Sequence, residues 1–559
     1  MQRLRNIVIP SHGRVGEIIS EAKGLHDAHI DRDRMFNEWY SLLKLDDVLK
    51  QENMESFVGN DPRTTWNMAT YLLQPRPFVH QITTTDGTTM SVTAQAGAKV
   101  IEAYFRRLWV KIDRQDQRRG KQSWFYTLIG LLAATGWYAI PNLIRADGSV
   151  FVDYWNPITV YPEFSDDLSE GMLRLARIRT LSIHQANREL VQKGVSVRNL
   201  NNNPVFIQLW KKEPDGTITL SSAMDNNIVE DGVVLEGFVD IPVEVGFTGG
   251  LPGATTKLKN ESMEGQSILA TNEPLYRNIN KQQTFMQQLL RDTANPRWFE
   301  RLVGNKNIIG NPDRLYSRGA VFSMGIQEEM GALPMPPIPV ELTQIMFNIR
   351  NQMQRGGFSD LTFGNVLQEV SAVLVSQAAE AALQLLTPFH NSIQLAITKI
   401  TNHWYQSLLV NPQLRPKDWP DIDLTEFADT ELLSTYSIKI PGDLNNRIQM
   451  AKALNPRFEL PEEMLMKMLL PEVSSPVEAV AQLNAEKAKQ APEYMTVQLI
   501  GAFDQSASEA FAAGQRDDAV MFTIVADRLR KQLSGQPQTS DRVDQQAETR
   551  TVTQRRIGQ

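Results

Sequence analysis

Apolar residues recur at helical spacing up to about residue 135, with Asn60-Asp61-Pro62 marking a stop and restart and a strand-like run at 78–84. From 137 to 245 the period shortens to β-type runs at 150–154, 158–161, 173–180, 205–210 and 218–220. The pairs Asp147-Gly148, Asp215-Gly216 and Asp231-Gly232 punctuate them, which predicts hairpins in a mixed sheet. A long helix is predicted over 265–294, where Ile268, Leu275, Ile279, Met286, Leu289 and Leu290 form one stripe and Pro274 marks a kink or a start. Residues 296–339 return to short strands and Gly/Pro-rich loops. A second helix, 340–355, carries the stripe Leu342, Ile345, Met346, Ile349 and Met353, and Gly356-Gly357 breaks it. A third runs from about 365 to 409 with a kink at Pro388, followed by a strand at 433–440 and further helices to about 533. The tail, 534–559, is polar and reads as disordered.

At 559 residues the chain exceeds what one core usually serves, so several structural regions are expected. Its apolar share of 42% and charged share of 22% are those of a folded, soluble chain. Cysteine is absent, which excludes disulfides, thiolate nucleophiles, Fe–S clusters and the common structural zinc sites. The net charge of −7 argues against a protein built to grip DNA by neutralising its phosphates. No secretion signal is expected at the start. The uncharged run 124–140 sits at the lower edge of a membrane-spanning length, but Gly130, Gly136 and Pro141 favour a buried helix followed by a buried strand.

Reactive chemistry is hard to find. Gly246-Phe247-Thr248-Gly249-Gly250-Leu251-Pro252-Gly253 lacks the Gly-Lys-Ser/Thr ending of a P-loop and the following helix of a dinucleotide fingerprint, so it reads as a flexible connection. His26 and His29, with Asp27 and Asp31, could touch a metal, but their spacing fits a solvated helix start better. Asp166-Asp167 and Glu328-Glu329 are adjacent carboxylates that point apart and make poor acid/base dyads. No nucleophile elbow and no His-Glu-x-x-His motif is present, so no enzyme, cofactor or metal is expected.

A basic run, Arg106, Arg107, Lys111, Arg114, Arg118, Arg119 and Lys121, is opposed only by Asp113 and Asp116. It reads as a solvated or inter-subunit face, with nucleic-acid contact as the alternative. The faces opposite the two apolar stripes are more unusual. The first helix presents Arg277, Lys281, Thr284 and Gln288 there; the second presents Gln344, Asn348, Asn351 and Arg355. Ordinary surface helices carry dense Glu and Lys at such positions. Amides and hydroxyls exchange hydrogen bonds with phosphates and water without strong ion pairing, which suits a surface along which DNA slides; a polar helix in a bundle is the alternative.

The order of these parts resembles the portal proteins of tailed bacteriophages, most closely the podovirus head-to-tail connectors. The early helix pair is represented by Asn60-Asp61-Pro62-Arg63-Thr64-Thr65-Trp66-Asn67-Met68-Ala69-Thr70-Tyr71-Leu72-Leu73. The approach to the wing strands is represented by Gly130-Leu131-Leu132-Ala133-Ala134-Thr135-Gly136-Trp137 and by Asp153-Tyr154-Trp155-Asn156-Pro157-Ile158-Thr159-Val160-Tyr161-Pro162. Glu264-Gly265-Gln266-Ser267 resembles the turn that opens the first stem helix. Gly357-Phe358-Ser359-Asp360-Leu361-Thr362-Phe363-Gly364, with Ser371 and Ser376 beyond, resembles the segment after the second. The likeness covers roughly 55–450.

The resemblance implies an α+β portal fold assembled as a ring, typically of twelve subunits. Its regions would be N-terminal helices and an α/β wing (1–265), stem helix 1 (266–295), clip (296–339), stem helix 2 (340–355), tunnel loop (356–366), long kinked helix and wing return (367–455), helical crown (456–533) and tail (534–559). The polar stem faces, with Phe358 and Asp360, would face DNA in the channel; Arg314, Arg318, Glu328 and Glu329 would mark the clip's docking surface. The implied partners are further copies of the chain, double-stranded DNA held weakly and without sequence preference, the terminase motor, adaptor and tail proteins, and the major capsid and scaffolding proteins, with no membrane. The implied role is genome packaging, retention and ejection at one capsid vertex of the virion, assembled in the host cytoplasm. Twelve chains at −7 would carry −84 formal charges, a ring that repels DNA more than it binds it. The short loop at about 354–363 departs from a long constricting tunnel loop. Another phage structural protein, an adaptor or an internal ejection protein, is the alternative.

Overall fold

The structure, a computed structural model, describes residues 13–533 except 52–55, 76–77, 87–89, 146, 168–169, 196–199, 236, 250–264, 295–297, 304–323, 333–339, 359–371, 437, 439–491 and 513–514. The chain divides into two compact units, Met1–Asn446 and Arg447–Gln559.

The first unit opens with helices α1 (Arg14–Ala28), α2 (Ile30–Lys44) and α3 (Asp61–Leu73), then strand β1 (Val79–Thr84) and helices α4 (Val92–Gln117) and α5 (Trp124–Thr135). Serine starts the last two: Ser91 and Ser123 accept the backbone N–H groups of Ala94 and Tyr126. The uncharged run 124–140 is a buried helix followed by a buried strand, as its sequence predicts. Gly136 makes the junction at φ 73, and a side chain there would strike the backbone of Gln266 at 2.4 Å. No helix among the described residues is long and apolar enough to cross a membrane.

Strand β2 (Trp137–Ile144) is central in a three-stranded sheet, with β3 (Val150–Val152) on one side and β9 (Val243–Phe247) on the other. Between them in sequence lies a five-stranded meander of β4 (Val160–Phe164), β5 (Met172–Thr180), β6 (Val205–Lys212), β7 (Ile218–Met224) and β8 (Asn227–Val234), with α6 (Ile183–Gln192) inserted after β5. Every pairing in these two sheets is antiparallel, so the mixed sheet expected from the runs is not formed. The β4–β5, β6–β7 and β7–β8 links are too short for the crossover that a parallel pair requires, and the long link through α6 also returns the chain antiparallel. Asp147-Gly148 and Asp215-Gly216 do turn the chain, each aspartate accepting the N–H two residues on. Asp231-Gly232 lies instead within β8, and the β7–β8 turn is Asp225-Asn226, with Asp225 at φ 49.

Helix α7 (Glu273–Ala294), strands β10 (Trp298–Arg301) and β11 (Glu329–Ala332) and helix α8 (Val340–Arg355) follow. Helix α9 (Ala372–Val410) contains Pro388 and returns through the core, and β12 (Thr430–Thr435) pairs antiparallel with β1, closing contacts some 350 residues apart in sequence. The main core gathers around this closure, with Trp109 stacked on Trp404 and its indole N–H donated to Thr401 at 2.9 Å. In the second unit, α10 (Pro492–Ala512) and α11 (Arg516–Leu533) pack as a helical hairpin.

Two buried histidines should weaken the fold in acid. Burial, aided by the Arg106 charge, holds His80 down at about 3; burial and Arg32 hold His29 at about 4. Both stay neutral in the folded chain, whereas an unfolded histidine takes its proton near 6.5. Their contribution is therefore complete above pH 6.5 and lost as pH falls toward those depressed values. Asp33, Glu102 and Glu244 are raised by burial and offset part of the loss. Between pH 7 and 4.5 the parent should lose about 2–3 kcal/mol more denaturant stability than a His80→Gln variant. Equal losses would show that His80 is not the acid-sensitive group.

Candidate functional site

The helix–strand–strand–helix segment from α7 to α8 is anchored at its root by a turn at Gly265. This glycine sits at φ +77, where a Cβ would meet Trp137 Nε1 at 2.3 Å. Beyond it, Gln266 donates its N–H to Thr248, Ile268 donates to Ala133, and the Ser267 hydroxyl donates to the same Ala133 carbonyl at 3.1 Å. A 3-10 turn at Ala270–Asn272 then leads into α7, which starts at Glu273 and not at 265, with Pro274 in its first turn where a missing N–H costs nothing.

Asn272, buried at the end of that 3-10 turn, donates from Nδ2 to the Met353 carbonyl at 2.8 Å, tying the entry of α7 to the last turn of α8. A Cβ on Gly356 would lie 2.3 Å from Asn272 Oδ1, so Gly356 serves this close approach as well as ending α8. One face of α7 is docked by polar contacts: Asn280 Oδ1 accepts the Gly59 N–H at 2.9 Å, Thr284 Oγ1 accepts that of Phe57 at 3.0 Å, and Tyr276 meets Thr65. Trp39 donates to Glu273 at 3.0 Å from the other side of the root.

These contacts correct part of the expected channel face. Thr284 is buried, its hydroxyl spent on Phe57, because the segment 56–59 crosses α7 at that position. Phe358 is also buried, in the main core, since the chain turns inward after Gly357. Arg277 and Lys281 are exposed and Gln288 is half-buried. Arg277 is ion-paired with Glu273 and Glu38, and Lys281 lies over the Phe285 ring, so neither is a bare cation. On α8, Gln344, Asn348 and Arg355 are exposed and Asn351 half-buried, while Ile349 is buried at the centre of the apolar stripe. Asp360, Arg314 and Arg318 lie outside the described residues.

The expected docking pair at the far end has local partners. Glu329 bridges to Arg301 at 3.2 Å across the β10–β11 pair, and Glu328 accepts the Gly325 N–H at 2.8 Å. The prominent surface there is apolar: Trp298, Val303, Met324 and Ile326 are all exposed.

Two features escape a reading by stripes alone. Ile345 and Phe347 are 45% and 64% exposed, and at 100° per residue they flank the polar face of α8 about 160° apart. The second feature is an open cleft of about 1250 Å³ between β2, β9, the β4–β5 region and α9, where Glu244 meets Lys399 at 3.1 Å. Its serine hydroxyls have local partners, Ser165 donating to Glu170 at 2.7 Å and Ser392 to the Phe247 carbonyl, and burial lowers His403.

No family model matches the chain, and no curated protein matches it. Among solved structures it is similar to the neck of a native GTA particle computed with C12 symmetry, with TM-score 0.40 and 11% identity over 74% of this chain and 90% of that one. It is also similar to the neck of an empty GTA particle computed with C6 symmetry, with TM-score 0.42 and 9% identity over 77% of this chain and 93% of that one. Overlaps at this level do not establish a shared fold.

His26 and His29 both turn inward against the Tyr161 ring, and His29 donates Nδ1–H to the Leu25 carbonyl. Arg32 and Asp33 pair beside them at 2.9 Å with almost no exposure. The cluster packs α1 and α2 onto the meander, so it is not the solvated helix start that the sequence predicts. No group of three metal-ligating side chains occurs among the described residues. In the basic run, Arg106 turns partly inward, whereas Arg107, Lys111, Arg114, Arg118, Arg119 and Lys121 are exposed.

Proposed function

We propose that this chain is the subunit of a portal-type head–tail connector: a ring with a central channel for double-stranded DNA, with no catalytic role of its own. The observation that carries the reading is the distribution of side chains around α8. The helix contacts α7 and buries Ile349 at the centre of its apolar stripe, its opposite face is Gln344, Asn348, Asn351 and Arg355, and exposed Ile345, at one edge of the stripe, and exposed Phe347 stand on the two flanks between. A helix in a closed ring needs those three environments: its own subunit behind, the bore in front and a neighbour on either side. Ring contacts are head-to-tail, so two different apolar flanks suit them better than one self-complementary patch. The order of elements, antiparallel sheets, α7, the β10–β11 pair, α8 and α9, agrees with the resemblance found in sequence.

In this reading DNA meets amides and sparse, partly neutralised cations, and it slides because no contact is strong. The apolar tip at Trp298, Val303, Met324 and Ile326 takes the motor during packaging and the adaptor afterwards. Genome packaging, retention and ejection at one vertex of the virion follow from that placement. The experiment is sedimentation of a variant carrying Ile345→Asp and Phe347→Asp. Both residues are exposed in the single chain, so the subunit should fold while the ring dissociates to monomers. An assembly of unchanged mass would mean that these flanks do not meet neighbours.

A further inference from the structure

We infer that the outer face of α4 is a second, sequence-independent binding surface for the phosphate backbone of duplex DNA, separate from any channel. Arg107, Lys111, Arg114 and Arg118 follow one another at spacings of four, three and four, so they fall on a single stripe no wider than about 60°. At 1.5 Å per residue the stripe is about 16 Å long, and Arg119 and Lys121 extend it around the following turn. Residues 106–121 contain seven basic and two acidic side chains, a net +5, which leaves −12 for the rest of the chain.

The two acids in the run are committed elsewhere. Asp113 accepts the Phe125 N–H at 3.0 Å at the start of α5, and Asp116 hydrogen-bonds the Tyr154 hydroxyl. None of the six exposed cations forms an ion pair among the described residues. Asp418 and Arg107 both act through space on the Tyr104 hydroxyl, in opposite senses, and Lys121 acts through space on Asp153. The opposite side of α4 is fixed: Tyr104, Phe105, Trp109 and Ile112 are buried in the main core, so the charges stand on a stiff support.

The chemistry selects the partner. Single strands are held by bases stacked on exposed aromatic rings. Here Tyr104, Phe105 and Trp109 are buried, so backbone phosphate is the available contact. Three of the four stripe residues are arginines, whose planar fork suits phosphate oxygens. A duplex presents about one phosphate per 3.4 Å per strand, so four or five fall along 16 Å.

The test uses the assembled, full-length protein and relaxed, covalently closed circular DNA, which cannot thread a closed ring. Binding is measured against the parent in a variant carrying Arg107→Gln, Lys111→Gln, Arg114→Gln and Arg118→Gln. Parent affinity should fall at least roughly 100-fold between 50 and 200 mM salt, as four phosphate contacts predict. The variant should lose that salt dependence and bind at least 10-fold more weakly at the lower salt, while an Arg→Lys version of the three arginines should bind like the parent. Equal binding by parent and glutamine variant overturns the proposal. So does equal or tighter binding of a single-stranded circle, or a parent that ignores circular DNA and binds only acidic protein. Failure here leaves the channel reading intact, because linear DNA in the bore is not probed.

Discussion

Particles assembled from Asn351→Lys subunits should hold DNA with a steeper dependence on salt than the parent shows. Asn351 lies on the polar face of α8, opposite the stripe centred on buried Ile349, so the substitution leaves that stripe untouched. One lysine per subunit becomes a ring of cations, and each copy that engages a phosphate adds about 0.9 to the salt slope. With six copies engaged, affinity should change by about 10³-fold between 50 and 200 mM salt. Arg355→Glu should act in the opposite sense, placing a ring of negative charge beside the end of α8 and slowing entry of DNA. Packaging and retention at two salt concentrations would read both effects. If both variants assemble and handle DNA like the parent, this face does not line a channel and is an ordinary polar helix surface.

Replacing Gly265 by Ala should cost about 3–5 kcal/mol, the sum of a strained backbone and an overpacked contact. The position holds φ +77, and the added methyl would lie 2.3 Å from Trp137 Nε1 and 2.9 Å from the Gly136 carbonyl. Neither neighbour can yield easily: Trp137 is buried in β2, and Gly136 is itself pressed against Gln266. Relaxation would pull away the turn that fastens α7 to the end of α5, so ring assembly should weaken together with stability. Gly171→Ala is the control, since φ there is +71 but nothing lies within 4 Å of the new methyl. That variant should lose about 1 kcal/mol in urea. Similar losses at the two glycines would show that the Gly265 contact is not what holds the root.

Much of this architecture is legible in periodicity. The stripe ending in Ile349 and Met353 defines α8 to its last residue, and the buried helix–strand pair at 124–140 follows from an apolar run interrupted by Gly136. Polar side chains that serve another segment are harder to read. On a wheel Thr284 belongs with Arg277 and Lys281, yet residue 57, more than two hundred positions away, claims its hydroxyl. Asn272 and Asn280 look like surface amides, yet they tie α7 to α8 and to 59. His26 and His29 read as a solvated helix start because nothing local announces Tyr161 against them. Phe358 carries an apolar signal on a glycine-flanked turn, and only the tertiary fold decides whether such a ring faces a bore or the core. Conversely, Ile345 and Phe347 pass for ordinary helix residues until their exposure is known.

The central claim, a closed ring around a channel, is tested most directly by the native mass of the purified full-length protein together with top-view images of the same particles. The account predicts one species at an integer multiple of the chain mass, twelve by the portal resemblance, with a central hole. A stable monomer at micromolar concentration across several salt conditions, with no ring in the images, would contradict it.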